Sequence, residues 1–205
     1  WLGPSLGGLV GYGVAQGPDG GKLAGLLELG APVYLKSEPF LRTLISLGVR
    51  AAWPGSIRQS WVSASMAPFL GYLALPLSDI VVNPRHVPPR VLRQLSVNMM
   101  AAMSRKVLLQ FQDWISHDAF RSYDRKTDWR AGISKLQLPV LVMGGSADRL
   151  ATSANVEAQY ALLTSPDRTL HVFGRDRGDK MDYGHGDLIF GTGAPTEVYP
   201  VIREW

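Results

Sequence analysis

The sequence predicts an α/β fold: a mostly parallel sheet with helices on both faces, interrupted by a long helical insertion. Three observations predict it. Short apolar runs bounded by glycine and proline breakers, at Lys22 to Leu29, Leu138 to Met143 and Thr169 to Phe173, read as buried strands. Segments with helical spacing alternate with them, and that alternation implies parallel pairing through crossover helices. Between residue 36 and about residue 135 no strand pattern is found and helical patterns take over.

Taken in order, Trp1-Leu2 is the tail of a strand, Gly3 to Gly8 a turn, and Leu9 to Ala15 a helix. The breaker cluster Gly17-Pro18-Asp19-Gly20-Gly21 ends that helix. The strand Lys22 to Leu29 follows and closes at Gly30-Ala31-Pro32. In the insertion, helices are expected at Phe40 to Val49, Val91 to Ala102 and Val107 to Ile115. They are separated by Trp53-Pro54-Gly55, Asn83-Pro84 and Pro88-Pro89. The β-branched run Leu138 to Met143 ends in Gly144-Gly145 and leads to a helix from Ser153 to Leu163, with Ser153 as its N-cap. After the strand Thr169 to Phe173 comes a polar loop, Gly174 to Gly184. A final helix, Pro195 to Trp205, carries Val198, Val201, Ile202 and Trp205 on one face, with Pro195 in its first turn. Three units result: a core segment over 1–35, a helical cap over 36–135, and a second core segment over 136–205.

Composition narrows the function classes. With 46% hydrophobic and 19% charged residues in 205, the chain suits one globular domain with a sizeable core, not a disordered segment. Mean hydropathy is +0.02. The net charge of +4 comes from scattered Lys and Arg, with no dense basic run. That excludes a nucleic-acid patch and leaves a solvated surface, with at most transient contact with a lipid interface. The absence of cysteine excludes disulfides, thiolate metal sites and a cysteine nucleophile. The apolar stretch Trp61 to Leu77 is broken by Pro68 and Pro76, so no transmembrane helix is expected. The chain opens on Trp1 and reads as a portion that lacks its natural start. The compartment and the oligomeric state therefore stay open, with the cytoplasm the default expectation.

The chemistry lies in three places. Gly3-Pro4-Ser5-Leu6-Gly7 fits G-x-S-x-G, in which a serine caps a tight strand-to-helix turn and projects above the sheet. The Leu6 backbone N–H then stands at a helix start, where it can donate to an oxyanion. A serine hydroxyl needs a base, and the base needs a carboxylate to fix its tautomer. Asp148 lies just past the strand Leu138 to Met143, in Gly144-Gly145-Ser146-Ala147-Asp148, and His185 lies in the Gly-flanked loop after the last strand. Alone, the motif is equally an ordinary Gly-rich turn, and Asp148 equally a turn or capping residue. Chain order and strand-end position unite the three. Of the other histidines, His171 alternates within a strand, and His86 and His117 fall in the insertion. Asp176, Asp179 and Asp182 match no calcium loop and are interleaved with Arg175, Arg177 and Lys180, so they read as a solvated loop and no metal site is expected.

These segments resemble the α/β-hydrolases. Gly144-Gly145 through Ala151 and His185-Gly186-Asp187-Leu188-Ile189-Phe190-Gly191 are most similar to the acid-lipase group, as are Ala194-Pro195 and Val198-Tyr199 in the last helix. The likeness covers residues 1–32 and 137–205 and fades over the insertion, a variable cap in such families. Pro4 departs from it, standing where the family carries His, Trp or another large side chain. The resemblance implies a partial α/β-hydrolase fold whose first strands, with a second oxyanion donor, lie upstream of Trp1. It implies a serine carboxylic-ester hydrolase working without a cofactor, with Ser5, His185 and Asp148 catalytic and Leu6 N–H in the oxyanion hole. The substrate would be a small-molecule or lipid ester. A lid and acyl pocket would come from Met66, Phe69, Leu70, Tyr72, Leu73, Leu75 and Leu77, or these residues are simply packed core. The alternatives are a non-catalytic hydrolase fragment and an acyltransferase. The latter resembles polyester synthases, whose cysteine nucleophile this chain lacks.

Overall fold

Four short strands gather the alternating apolar residues into one sheet. In the computed structural model they are β1 (Leu2–Pro4), β2 (Leu26–Leu29), β5 (Val140–Gly145) and β6 (Arg168–Phe173). Their order is β1-β2-β5-β6 and every pair is parallel. The structure describes residues 1–35, 39–51, 56–57, 78–83, 85–98 and 103–205. The expected lid residues Met66 to Leu77 and the break at Trp53-Pro54-Gly55 lie outside the described residues.

Residue alternation assigns each face. Leu26, Val140 and Val142 pack with Leu9 and Tyr12 of α1 (Leu6–Ala15) and Val156 of α7 (Ser153–Leu162). Leu29, Leu141, Met143 and Phe173 pack with Leu188 of α8 (Asp187–Phe190) and Val198 of α9 (Val198–Glu204). A sheet covered on both faces needs apolar residues at successive positions, which is why β5 reads as an unbroken Val-Leu-Val-Met run.

Several boundaries differ from expectation, each for a local reason. β2 begins at Leu26, because Gly20–Lys22 form a 3-10 turn that prolongs the breaker cluster. β5 begins after Pro139, which has no N–H for the ladder, and runs on through Gly145 against Phe173. The cap of α7 is Thr152, whose hydroxyl accepts from Asn155 N, and not Ser153. The last helix begins at Val198, so Pro195 sits in the preceding turns. Helix α8 has only four residues, which give no readable period in the sequence.

Between β2 and β5 the described residues are mainly helical: α2 (Pro39–Ala51), α3 (Ser78–Val81), α4 (Pro89–Asn98), α5 (Arg105–His117) and α6 (Trp129–Ile133). A two-residue antiparallel pair, β3 (Ser56–Ile57) with β4 (Met103–Ser104), corrects the expectation of no strand there. Val49 of α2 packs on Leu108 of α5. Trp114, Phe120 and Trp129 join edge to face, and Arg130 donates to Val33 O at 2.8 Å, tying α6 to the segment after β2. No helix among the described residues is long and apolar enough to cross a membrane.

One polar cluster lies within the apolar layer between β2 and the helices. Glu28 is fully buried and accepts from Ala31 N at 2.9 Å and from Gln159 Nε2 at 2.7 Å. Gln159 Nε2 also donates to Tyr12 Oη, and its Oε1 accepts from Val33 N. Burial outweighs the hydrogen bonds from Ala31 and Gln159 and pushes the Glu28 carboxyl from 4.5 up to about 8. Its stabilising contribution is therefore complete below the unfolded-state value and is lost as pH rises through about 8. Urea unfolding across that window should show stability falling with pH by on the order of a few kcal/mol. Glu28→Gln should flatten that part of the profile. An unchanged slope in this variant would rule Glu28 out as its source.

Candidate active site

Ser5 stands where β1 turns into α1, one residue beyond the strand. Its backbone has φ 51° and ψ −124°, a conformation that a side chain rarely adopts. Two bonds hold it there. Ser5 N donates to Leu29 O at 2.8 Å, continuing the ladder to β2, and Ser5 O accepts from Gly8 N at 3.0 Å, starting the helix. The turn is tight enough that a Cβ on Gly3 would run into the Gly7 carbonyl, so glycine is required there.

Asp148 follows the carboxyl end of β5, and its side chain is buried. Its Oδ1 accepts from Leu150 N and Ala151 N, both at 2.8 Å, which fixes the carboxylate plane. Its Oδ2 lies 2.8 Å from His185 Nδ1. His185 lies in the loop between β6 and α8, and its Nε2 lies 2.9 Å from Ser5 Oγ. A carboxylate only accepts, so Nδ1 carries the proton facing Asp148 and Nε2 is left as an acceptor for the serine hydroxyl. Side chains that follow three separate strands, β1, β5 and β6, thus form one hydrogen-bonded line.

Leu6 is the first residue of α1, so its N–H has no intrahelical acceptor and points from the positive end of the helix. Beside Ser5 and His185 opens a hollow of about 400 Å³, walled by Leu6, Leu9, Ile45, Phe111 and Leu150. A larger groove of about 790 Å³ runs between α1 and α5 and shares Leu6, Leu9 and Phe111 with it, but neither Ser5 nor His185 lines it. The smaller hollow is the one that bears on chemistry at Ser5.

The three aspartates of the polar loop stand elsewhere. Asp179 Oδ2 accepts from Gly174 N, and Asp176 pairs with Arg177. Asp182 Oδ1 accepts from Arg175 N and Ser146 Oγ, which hold its carboxyl below the usual range.

No protein-family model matches the sequence, and no curated protein matches it. Solved structures do. A monoacylglycerol lipase from Paleococcus ferrophilus superposes with a TM-score of 0.61 at 15% identity, over 99% of this chain and 66% of that one. The chain adopts the α/β-hydrolase fold. An esterase from Exiguobacterium antarcticum shares this hydrolase fold at TM-score 0.56 and 15% identity, covering 99% of this chain and 65% of its own. A soluble variant of Saccharomyces cerevisiae monoglyceride lipase does so at 0.57 and 16%, covering 99% and 61%. The chain therefore spans a little under two thirds of the length of these structures. They lend no specific support to the acid-lipase likeness of the sequence motifs.

Two residues beside this site in the hydrolase fold are not legible in the sequence. Gly30 reads only as a strand breaker, yet it lies beneath the Asp148–His185 pair at φ 58°. A Cβ there would stand 3.2 Å from both Asp148 Oδ2 and His185 Nδ1. Asp187 lies in the His185 stretch, but nothing in the sequence gives it a role. Two of its three hydrogen-bond partners, Asn83 and His86, are about a hundred positions away. Gly30→Ala should cost about 1–2 kcal/mol of unfolding free energy, from positive φ and from the crowded pair. Chemical denaturation measures this, and parental stability in the variant would refute the assigned strain.

Proposed function

We propose that the protein is a serine carboxylic-ester hydrolase of lipase or esterase type, acting through Ser5, His185 and Asp148 and an acyl-enzyme. The observation that carries the reading is the line Asp148 Oδ2–His185 Nδ1, 2.8 Å, and His185 Nε2–Ser5 Oγ, 2.9 Å. Both distances lie within hydrogen-bond reach for nucleophile, base and orienting acid.

In this mechanism Ser5 Oγ attacks the ester carbonyl carbon while its proton passes to His185 Nε2. Asp148 accepts from Nδ1 throughout and balances the charge gained by the imidazole. The carbonyl oxygen becomes an oxyanion and takes the Leu6 N–H at the helix start. Collapse breaks the bond to the alkoxy oxygen, which leaves with the proton from His185. Water then attacks the acyl-enzyme, giving up a proton to His185, and the acid departs as Ser5 recovers its hydroxyl. The apolar hollow beside Ser5 supports an ester with an apolar acyl group. The names of the superposed lipases and esterase agree with that class.

A fluorophosphonate probe should form one adduct, on Ser5, in the purified protein. Ser5→Ala should abolish it and lower kcat/KM on a short-chain nitrophenyl ester by at least about 10³-fold. Asp148→Asn should lower kcat by about 10²- to 10⁴-fold, because the imidazole loses the partner that fixes its tautomer. Full ester hydrolysis by Ser5→Ala would overturn the assignment.

A further inference from the structure

His185 stands on a turn that the sheet alone does not hold. Asp187, fully buried two residues on, organises it. Asp187 Oδ2 accepts from Gly184 N at 2.9 Å, immediately before His185. Oδ1 accepts from Asn83 N at 2.8 Å, across from the segment between β2 and β5. His86 Nδ1, from the same segment, lies 3.2 Å from Oδ2. On the other side of His185, Gly186 N donates to Val81 O at 2.6 Å, and further on Thr192 N donates to His86 O at 2.9 Å. Phe190 of α8 packs against the buried cluster Val82, Val87 and Leu92. Of the two neighbours of His185, Gly186 is thus held directly by Val81, and Gly184 through Asp187, which Asn83 and His86 bond in turn from a segment remote in sequence.

The Asp187 carboxylate does not contact Ser5 or Asp148. Burying a carboxylate is costly unless donors surround it, and here three converge. Two of them come from Asn83 and His86 and one from the backbone that carries the base. We propose that Asp187, with Asn83 and His86, is a positioning clamp on His185, holding its backbone so that Nε2 stays against Ser5 Oγ. The proposal rests on the reading of His185 as the base. Asp148 orients the imidazole ring, and Asp187 sets the turn from which the ring projects. A misplacement of about 1 Å at such a base can cost on the order of 10²-fold in rate.

In Asp187→Asn the amide presents its NH2 group to a donor, so one backbone bond is lost. We expect kcat to fall about 10- to 100-fold with KM within about twofold, and fluorophosphonate labelling of Ser5 to slow by the same factor. In His86→Asn the amide nitrogen takes the place of Nδ1, and this variant should keep activity within about threefold. His86→Leu should match Asp187→Asn. By proton NMR, the Nδ1–H of His185 facing Asp148 should be sharp in the parent and in His86→Asn, and broadened by exchange in His86→Leu. Parental labelling rates in folded Asp187→Asn and His86→Leu would overturn the clamp, and so would equal impairment of the two His86 variants. Where Asp187→Asn fails to fold, the His86 pair decides. Were Ser5→Ala to keep full activity, the hydrolase reading would fall, and the His185 resonance alone would judge the clamp.

Discussion

The structure turns on one constraint: four parallel strands present their carboxyl ends on the same side, and the ladder continues past them. Ser5 N donates to Leu29 O and Gly30 N to Met143 O, each at 2.8 Å and each one residue beyond its strand. These two bonds carry the sheet's order into the loops that hold chemistry. Ser5 is therefore fixed by the ladder on one side and by α1 on the other. A backbone at φ 51° costs on the order of 1–3 kcal/mol, and it persists because both neighbours over-determine it. Gly30, next along the same edge, leaves room for the Asp148–His185 pair above it.

The buried polar cluster performs a related task below that edge. Glu28 and Gln159 take the N–H groups of Ala31 and Val33, and Arg130 takes the Val33 carbonyl. These backbone groups belong to the chain just after β2, where no strand pairing is available to satisfy them. Unpaired, each would cost about 1–3 kcal/mol in the core. Satisfied, they fix the strip from Gly30 to Leu35 that forms one wall of the hollow beside Ser5. A fully paired network of this kind specifies one loop path, where an apolar core would accept several.

The parts of this arrangement that the sequence discloses are the local ones. Ser5, Asp148 and His185 are legible because each follows a strand in a glycine-marked turn or loop, and because their order in the chain is restrictive. The parallel sheet is legible for the same reason. Strand starts at Lys22 and Leu138 are misread because hydropathy does not register the 3-10 turn before β2 or the missing N–H of Pro139. The β3–β4 pair and α8 are too short to display any period. Gly30 and Asp187 escape for a different reason. Gly30 meets Asp148 and His185, and Asp187 meets Asn83 and His86, all about a hundred residues or more away in the chain, so no window of sequence contains both partners.

Those long-range contacts bind the segment between β2 and β5 to the site from two directions. Ile45 and Phe111 wall the hollow on the side of Ser5. Val81, Asn83 and His86 grip the loop on the side of His185. Its removal would therefore do more than uncover apolar surface beside Ser5. It would leave the Asp187 carboxylate with Gly184 N alone, a buried charge short of two donors, which is costlier than its burial with all three. The turn carrying His185 would relax to hydrate that carboxylate, and Nε2 would leave Ser5 Oγ. The chain between β2 and β5 thus serves the site twice, walling the hollow through Ile45 and Phe111 and bonding Asp187 through Asn83 and His86.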